Sequence, residues 1–293
     1  MIFYATQRFV LSVVIVMVAV SILSLMLHVV PGDPAVMVLG PRATPELIEE
    51  TRIAMGLDRP LPMQILTFFG NILRGDLGQD VFTGRAVSQI VFEQLPYTLI
   101  LIAVSILWAA VLGIALGCYS ALRRNTWLDT LTGVISVGTI SIPAFVMALY
   151  SVLVFAVWLR WLPAIGAGEG FWDGLTHLIL PSFAIGVAWV GYVARIVRAS
   201  MLEVMGQPHV RMARAYGLPE GWITRSHILK LAVQPAVTLI GTGVAHLFSA
   251  AVFVEVIFAR PGVGALLVQA VNERNYPIVL GACLLYTSDA ADE

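Results

Sequence analysis

The chain is 293 residues long, 59% hydrophobic and only 12% charged. Soluble domains carry roughly 25% charged residues, so the composition excludes an ordinary soluble globule and points to the bilayer. The formal net charge of −1 hides an uneven distribution and gives no reason to expect a nucleic-acid partner. Cys118 and Cys283, the two cysteines, lie in apolar runs, which leaves neither a disulfide framework nor a zinc-ligand spacing.

Crossing the hydrocarbon core takes about 20 apolar residues in a helix. Uncharged runs of 24 residues (Arg8 to Asp33), 29 (Glu93 to Arg123), 30 (Asp129 to Arg160), 21 (Asp173 to Arg195) and 24 (Lys230 to Glu255) meet that length. They are continuous rather than alternating, which excludes a membrane barrel. The expected fold class is therefore all-α: a polytopic membrane protein with five full transmembrane helices.

The first span occupies residues 1–30. Its apolar stretch is too long for the core of a signal peptide, and "VVPGDP" is no small-residue cleavage site. Residues 31–95 form a helical segment between spans. Thr44 and Pro45 read as N-cap and first helical residue, followed by Glu46, Glu49 and Glu50, with Gly56 as a stop. A second short helix is expected over 62–74, with Ile65, Phe68, Phe69, Ile72 and Leu73 along one side, ending at Gly75. A third, over 87–94, leads into the second span at Pro96.

Residues 96–285 make up the remaining membrane core. Gly113 and Gly117 form a GxxxG pair suited to close helix packing. Pro143 and Pro181 fall inside the third and fourth spans, where each removes a backbone donor. A cavity-lining kink and a plain kink are equally compatible with them. After Arg274 only 14 uncharged residues precede Asp289. At ~1.5 Å per residue they reach about 21 Å, short of a core about 30 Å thick, so a truncated sixth span is expected. The polar 286–293, "YTSDAADE", reads as a non-native tail; a natural re-entrant end is the alternative.

Short basic loops mark the cytoplasmic side. Arg123 and Arg124 follow the second span, and Arg195, Arg198, Arg211, Arg214, Arg225 and Lys230 separate the fourth from the fifth. This places the N-terminus in the cytoplasm and 31–95 outside.

Little of the chain can carry chemistry. A phosphate-binding P-loop needs Gly immediately before its Lys, and the only lysine, Lys230, follows Leu229. ATP, if used, is bound by another chain. The five histidines share no metal spacing, and no catalytic grouping can be assembled, so neither cofactor, metal site nor enzymatic activity is expected. His246 lies mid-span, where an ionisable residue is either functional or bonded to a neighbouring helix. Glu255, near the end of the fifth span, can pair with Arg260, line a pathway or reach the interface.

The stretch "HVRMARAYGLPE", 209–220, is a polar island between apolar runs. Pro208 can start a helix. Met212, Ala213, Tyr216 and Gly217 then share one face, kept slim by Ala213 and Gly217 and surrounded by Arg211, Arg214 and Arg225. Such a helix, lying outside the membrane, is expected to leave that face for a partner's groove. An interfacial helix held by anionic lipid is the other reading.

Taken in order, several blocks resemble the inner-membrane permease subunits of type I ABC importers, in the dipeptide, oligopeptide and nickel branch. They are "VVPGDPA", "GLDRPLPMQ", "RGDLGQD", "TGRAVSQIV", "LPYTL", "ALRRNTWLD", "SIPAFVMAL", "RMARAYGL", "RSHILKLAVQPAVT", "VFVEVIFARPGVG" and "NERNYPIV". "RMARAYGL" is similar to the family's EAA loop, although Arg211 and Met212 stand where the general motif has Glu-Ala. The resemblance implies the type I permease fold and a coupling loop over 199–230, with Arg211, Ala213, Arg214 and Gly217 at the ATPase-coupling positions. Pro143, His246 and Glu255 are candidate pathway residues. It further implies a second homologous permease subunit, two cytoplasmic ATP-binding subunits, an extracytoplasmic solute-binding protein and a bacterial or archaeal inner membrane. The solute stays open among dipeptide, oligopeptide, glutathione and nickel chelate. A stand-alone secondary transporter or channel is the alternative; it normally shows inverted repeats, and none is evident.

Overall fold

A computed structural model describes residues 43–54, 60–72 and 74–290, together with scattered positions before residue 37. Most of the predicted first span lies outside the described residues. The described chain is helical and divides into two compact units, one of residues 1–98 with 261–293, the other of residues 99–260.

In the first unit, α1 (Pro45–Ala54) begins where its cap was expected. Thr44 accepts hydrogen bonds from the Leu47 amide at its hydroxyl (3.4 Å) and from the Ile48 amide at its carbonyl (3.1 Å). α2 spans Leu61–Ile72. The next helix, α3 (Val87–Leu122), absorbs the separate element expected over 87–94 and carries Pro96 inside it. A helix surrounded by hydrocarbon loses more by breaking, which frees several backbone groups, than by leaving one carbonyl short of a donor.

Before α3, the chain from Asp76 to Ala86 forms a tight loop closed by an antiparallel bridge between Gln79 and Ala86. Asp80 organises it. Its carboxylate accepts the amides of Phe82 (3.2 Å) and Thr83 (3.1 Å), the Thr83 hydroxyl and the Asn275 side-chain amide. Asn275 precedes α12 (Tyr276–Ala290), which follows α11 (Val263–Asn272). Two blocks distant in sequence, "RGDLGQD" and "NERNYPIV", are thus joined at one carboxylate. Val87, Val91, Ala270, Ile278 and Val279 close an apolar core beside it.

The second unit is built around α6 (Phe171–Met205), which keeps Pro181 inside without a break. Packed on it are α4 (Trp127–Ser141), α5 (Ala144–Ser151, continuing as a π-helix over Val152–Trp158) and α10 (Gln234–Ile257). The third predicted span is not one kinked helix: α4 and α5 meet at 100°. Proline disfavours helical geometry in the residue before it, and here, unlike at Pro96 and Pro181, the chain gives way. Ile142 is extended (φ −95°, ψ 119°), as is Pro143 (φ −59°, ψ 146°), and two consecutive extended residues redirect the chain. Three described helical stretches are long and apolar enough to cross a bilayer, or four if the bent pair is one span.

Glycines set the helix spacing. A Cβ on Gly113 would lie 2.7 Å from Val193 Cβ, and one on Gly117 2.6 Å from the Ala194 carbonyl oxygen. A Cβ on Gly191 would lie 2.7 Å from the Ser136 carbonyl oxygen, and one on Gly243 would collide with the Trp189 ring. The GxxxG pair therefore serves packing, seating α3 against α6. No hydrophobic drive brings helices together in lipid, so this close approach is the main attraction available.

Replacing Gly117 by Leu forces the α3–α6 crossing apart and should cost about 1–3 kcal/mol, as overpacking does. Gly133→Leu, where an added Cβ meets nothing within 4 Å, should be near neutral. Thermal unfolding in detergent compares the two.

Burial pushes the Asp80 carboxyl upward, but the hydrogen bonds from Thr83, Asn275 and the two amides outweigh it and hold the group below its ordinary value. A depressed carboxylate stabilises above its unfolded value, near pH ~4, and loses that share as pH falls through the folded value. Asp80→Ala should cost about 2 kcal/mol at neutral pH. The difference from wild type should shrink on acidification below about pH 4. Unfolding measured across pH checks both.

Candidate functional site

The polar island folds as α7 (Pro208–Ala215), with Gln207 as the extended N-cap residue and Pro208 in the first turn. Tyr216 ends it. Gly217 has φ +76°, its amide bonds the Arg214 carbonyl (2.9 Å), and the Leu218 amide bonds that of Ala213 (3.3 Å). These two bonds form a Schellman stop, which favours glycine at the left-handed position. Gly217 thus terminates the helix. It also leaves open space, since a Cβ there would meet nothing within 4 Å.

Here the structure corrects the sequence reading of the face. Val210 is fully buried and Ala213 is 6% exposed, whereas Met212 is 57% and Tyr216 77% exposed. The helix does bury a side in its own bundle. Val210 and Ala213 join Val197, Met201 and Val204 of α6, and Ile223, Ile228, Ala232 and Ala236 downstream, in one apolar core. α7 returns directly under the end of α6, only a Gly206–Gln207 link away, and a small residue at 213 permits the contact. The outward side keeps Arg211, Met212, Arg214, Tyr216 and Gly217 exposed.

Arg214 makes a two-pronged bond to Glu220, Nε to Oε1 at 2.7 Å and Nη2 to Oε2 at 3.3 Å. It ties α7 to α8 (Glu220–Ile223), across the turn. The chain then runs through a π-helical turn, Thr224–Ile228, and α9 (Leu229–Ala232) into α10. Both partners are exposed, so the pair orients more than it stabilises.

Missing from the sequence reading was a polar clasp on the same end of the bundle. Asp129, buried in the first turn of α4, accepts Arg198 Nε (2.6 Å) and the Ser120 hydroxyl (2.5 Å) at Oδ1. Its Oδ2 accepts Arg198 Nη2 (2.7 Å) and the Asn125 amide (3.1 Å). One carboxylate thereby joins the end of α3, the α3–α4 turn, α4 and α6. Arg198 and Asp129 were visible only as charges flanking spans; their 69-residue separation hid the pairing.

The three candidate pathway residues occupy different settings. Pro143 stands at the α4–α5 break. His246 lies on the exposed side of α10, in register with Thr238, Thr242 and Ser249, also exposed. Glu255 is fully buried near the end of α10, which removes the option of its reaching an interface. Arg260, also buried, donates its backbone N–H to the Glu255 carbonyl at 2.9 Å. Among the described residues no group of three or more His, Cys, Asp or Glu could hold a metal ion.

The chain matches known proteins. Residues 113–288 match the binding-protein-dependent transport system inner membrane component, and residues 1–102 match its N-terminal counterpart. The chain belongs to this family. It is 38% identical over 263 residues to the glutathione transport system permease protein GsiC of Escherichia coli (strain K12), covering 90% of this chain and 84% of the relative. With the protein of the same name from Salmonella paratyphi A (strain ATCC 9150 / SARB42) it shares 35% identity over 284 residues, covering 97% and 91%. Among solved structures, the MetNI methionine ABC transporter in inward-facing conformations aligns at a TM-score of 0.53 and 19% identity, over 70% of this chain and 94% of that chain. At that identity the likeness speaks for the fold alone.

The protein is a permease subunit of an ABC importer, a multi-pass inner-membrane component with the type I permease fold. ATP hydrolysis belongs to a partner chain.

Gly217→Ala should cost roughly 1–2 kcal/mol through left-handed strain, and Gly217→Asn less. Thermal unfolding in detergent ranks the two.

Proposed function

We propose that α7 is the coupling helix that docks into a groove of the ATPase. The observation that supports this best is its two-sidedness: Val210 and Ala213 are locked into the bundle while Met212 and Tyr216 stand out from it. An aromatic and a methionine presented on a short rigid helix suit a helix-in-groove contact. Arg211 borders that side, and Arg214 and Gly217 fix the exit of the chain. ATP-driven closure of the ATPases moves α7, and the shared core carries the motion into α6. The importer thereby shifts between two membrane conformations that bind its ligands differently.

On this reading residues 199–230 form the cytoplasmic coupling loop of a permease core over 96–285. The N-terminal membrane helix lies in 1–30 with its start in the cytoplasm, and 31–95 is extracytoplasmic. The basic loops support that orientation. The assembly holds a second, related permease, two ATP-binding subunits and an extracytoplasmic solute-binding protein. The exposed polar stripe on α10, with His246 at its centre, suits a wetted surface better than lipid, so we assign it to the pathway, together with Pro143 at the α4–α5 break and the buried Glu255 near the end of α10. The solute is a small peptide-like molecule. Two relatives named for glutathione transport, at 38% and 35% identity, support that class.

The test is co-purification with the cognate ATPases. Tyr216→Asp combined with Met212→Asp should weaken the complex by about 2 kcal/mol or more, roughly thirtyfold. Wild-type recovery of the ATPases would sink the docking reading. Bulk at Ala213 is unsuitable for this purpose, because it would disrupt the chain's own core.

A further inference from the structure

We infer that Arg198 and Asp129 are a positioning pair that makes α4 move with the coupling helix. This rests on α7 being the coupling element. The motivating observation is how α4 is seated: its only buried residues are Asp129 and Ser136, both polar. Leu131, Val134, Ile135 and Val137 on the same helix are exposed. α4 therefore has no buried apolar side chain to match Val210 and Ala213 of α7. At the α7 end the clasp fixes its orientation. Farther along, Ser136, Thr139 and the partly buried Ile140 lie against Gly191 of α6.

The geometry of the clasp suits transmission. Both carboxylate oxygens are engaged, each by Arg198 and by one further donor, so the contact is directional in two axes. A bidentate guanidinium–carboxylate contact fixes orientation as well as distance. Arg198 sits one turn from Met201 and two from Val204 or Met205, on the stretch of α6 that holds Val210 and Ala213 of α7. A displacement of α7 thus reaches Arg198 through packed side chains. From there it reaches α4 through one ionic contact, and the α3 end through Ser120. Coupling carried by such a contiguous network needs evidence from variants.

The experiment uses the whole importer in proteoliposomes: this permease, its partner permease, the ATPases and the binding protein. Arg198→Lys keeps the charge and loses the fork, Asp129→Asn loses the charge, and Ser120→Ala removes a single hydroxyl donor. Assembly, ATP hydrolysis and solute moved per ATP are measured for each. Arg198→Lys and Asp129→Asn should assemble and hydrolyse ATP while solute moved per ATP falls at least about fivefold, the lower range of energetic coupling between sites. Ser120→Ala should lie between them and wild type.

A wild-type transport-to-hydrolysis ratio in Arg198→Lys and Asp129→Asn overturns the inference. So does loss of assembly with no uncoupled variant among the three, because the clasp is then a folding element only. If Tyr216→Asp combined with Met212→Asp leaves ATPase binding intact, the coupling reading of α7 falls and the clasp inference with it. If that double variant blocks binding and the clasp variants behave as wild type, the clasp inference alone falls.

Discussion

The larger unit depends on how closely neighbouring helices can approach α6. In hydrocarbon a leucine gains nothing by leaving lipid for protein, so attraction between helices comes from tight packing and polar contacts. The glycines supply the first. Gly113 and Gly117 bring α3 onto Val193 and Val197, Gly191 admits α4, and Gly243 lets the Trp189 ring lie on α10. Arg198 and Asp129 supply the second. With α6 held this way, its end is a fixed platform, and α7 inherits its position from that platform.

Burial divides the chemistry of the same region. An ionic pair out of water repays its desolvation only when every acceptor is engaged. Asp129 meets that condition with four donor atoms from three residues, Ser120, Asn125 and Arg198. Arg214 and Glu220, exposed to solvent, form a similar fork with much less consequence. Asp80 follows the first pattern in the smaller unit, where one carboxylate organises a loop and reaches Asn275.

Much of this was legible from the chain. Charge-free runs marked α3, α6 and α10, because length and apolarity alone decide whether a helix can span. Pro208 and Gly217 marked both ends of α7, because proline and glycine act through local backbone geometry. What escaped reading was tertiary. The break at Ile142–Pro143 looked like a kink, since nothing local shows that two residues rather than one will leave the helix. Ala213 was assigned to the outward side because a short polar helix was assumed to have no bundle of its own to lie on. The Asp129–Arg198 contact joins residues far apart in sequence, and no local pattern links them.

The burial of Val210 and Ala213 opposite Met212 and Tyr216 places the two sides of α7 under separate selection. Changes at 210 and 213 must be answered by the bundle, in Val197, Met201 or Ile223. If α7 docks on the ATPase as proposed, changes at 212 and 216 must be answered by another gene. The importer can then retune its coupling by a few substitutions on one side of an eight-residue helix, leaving the membrane architecture as it was.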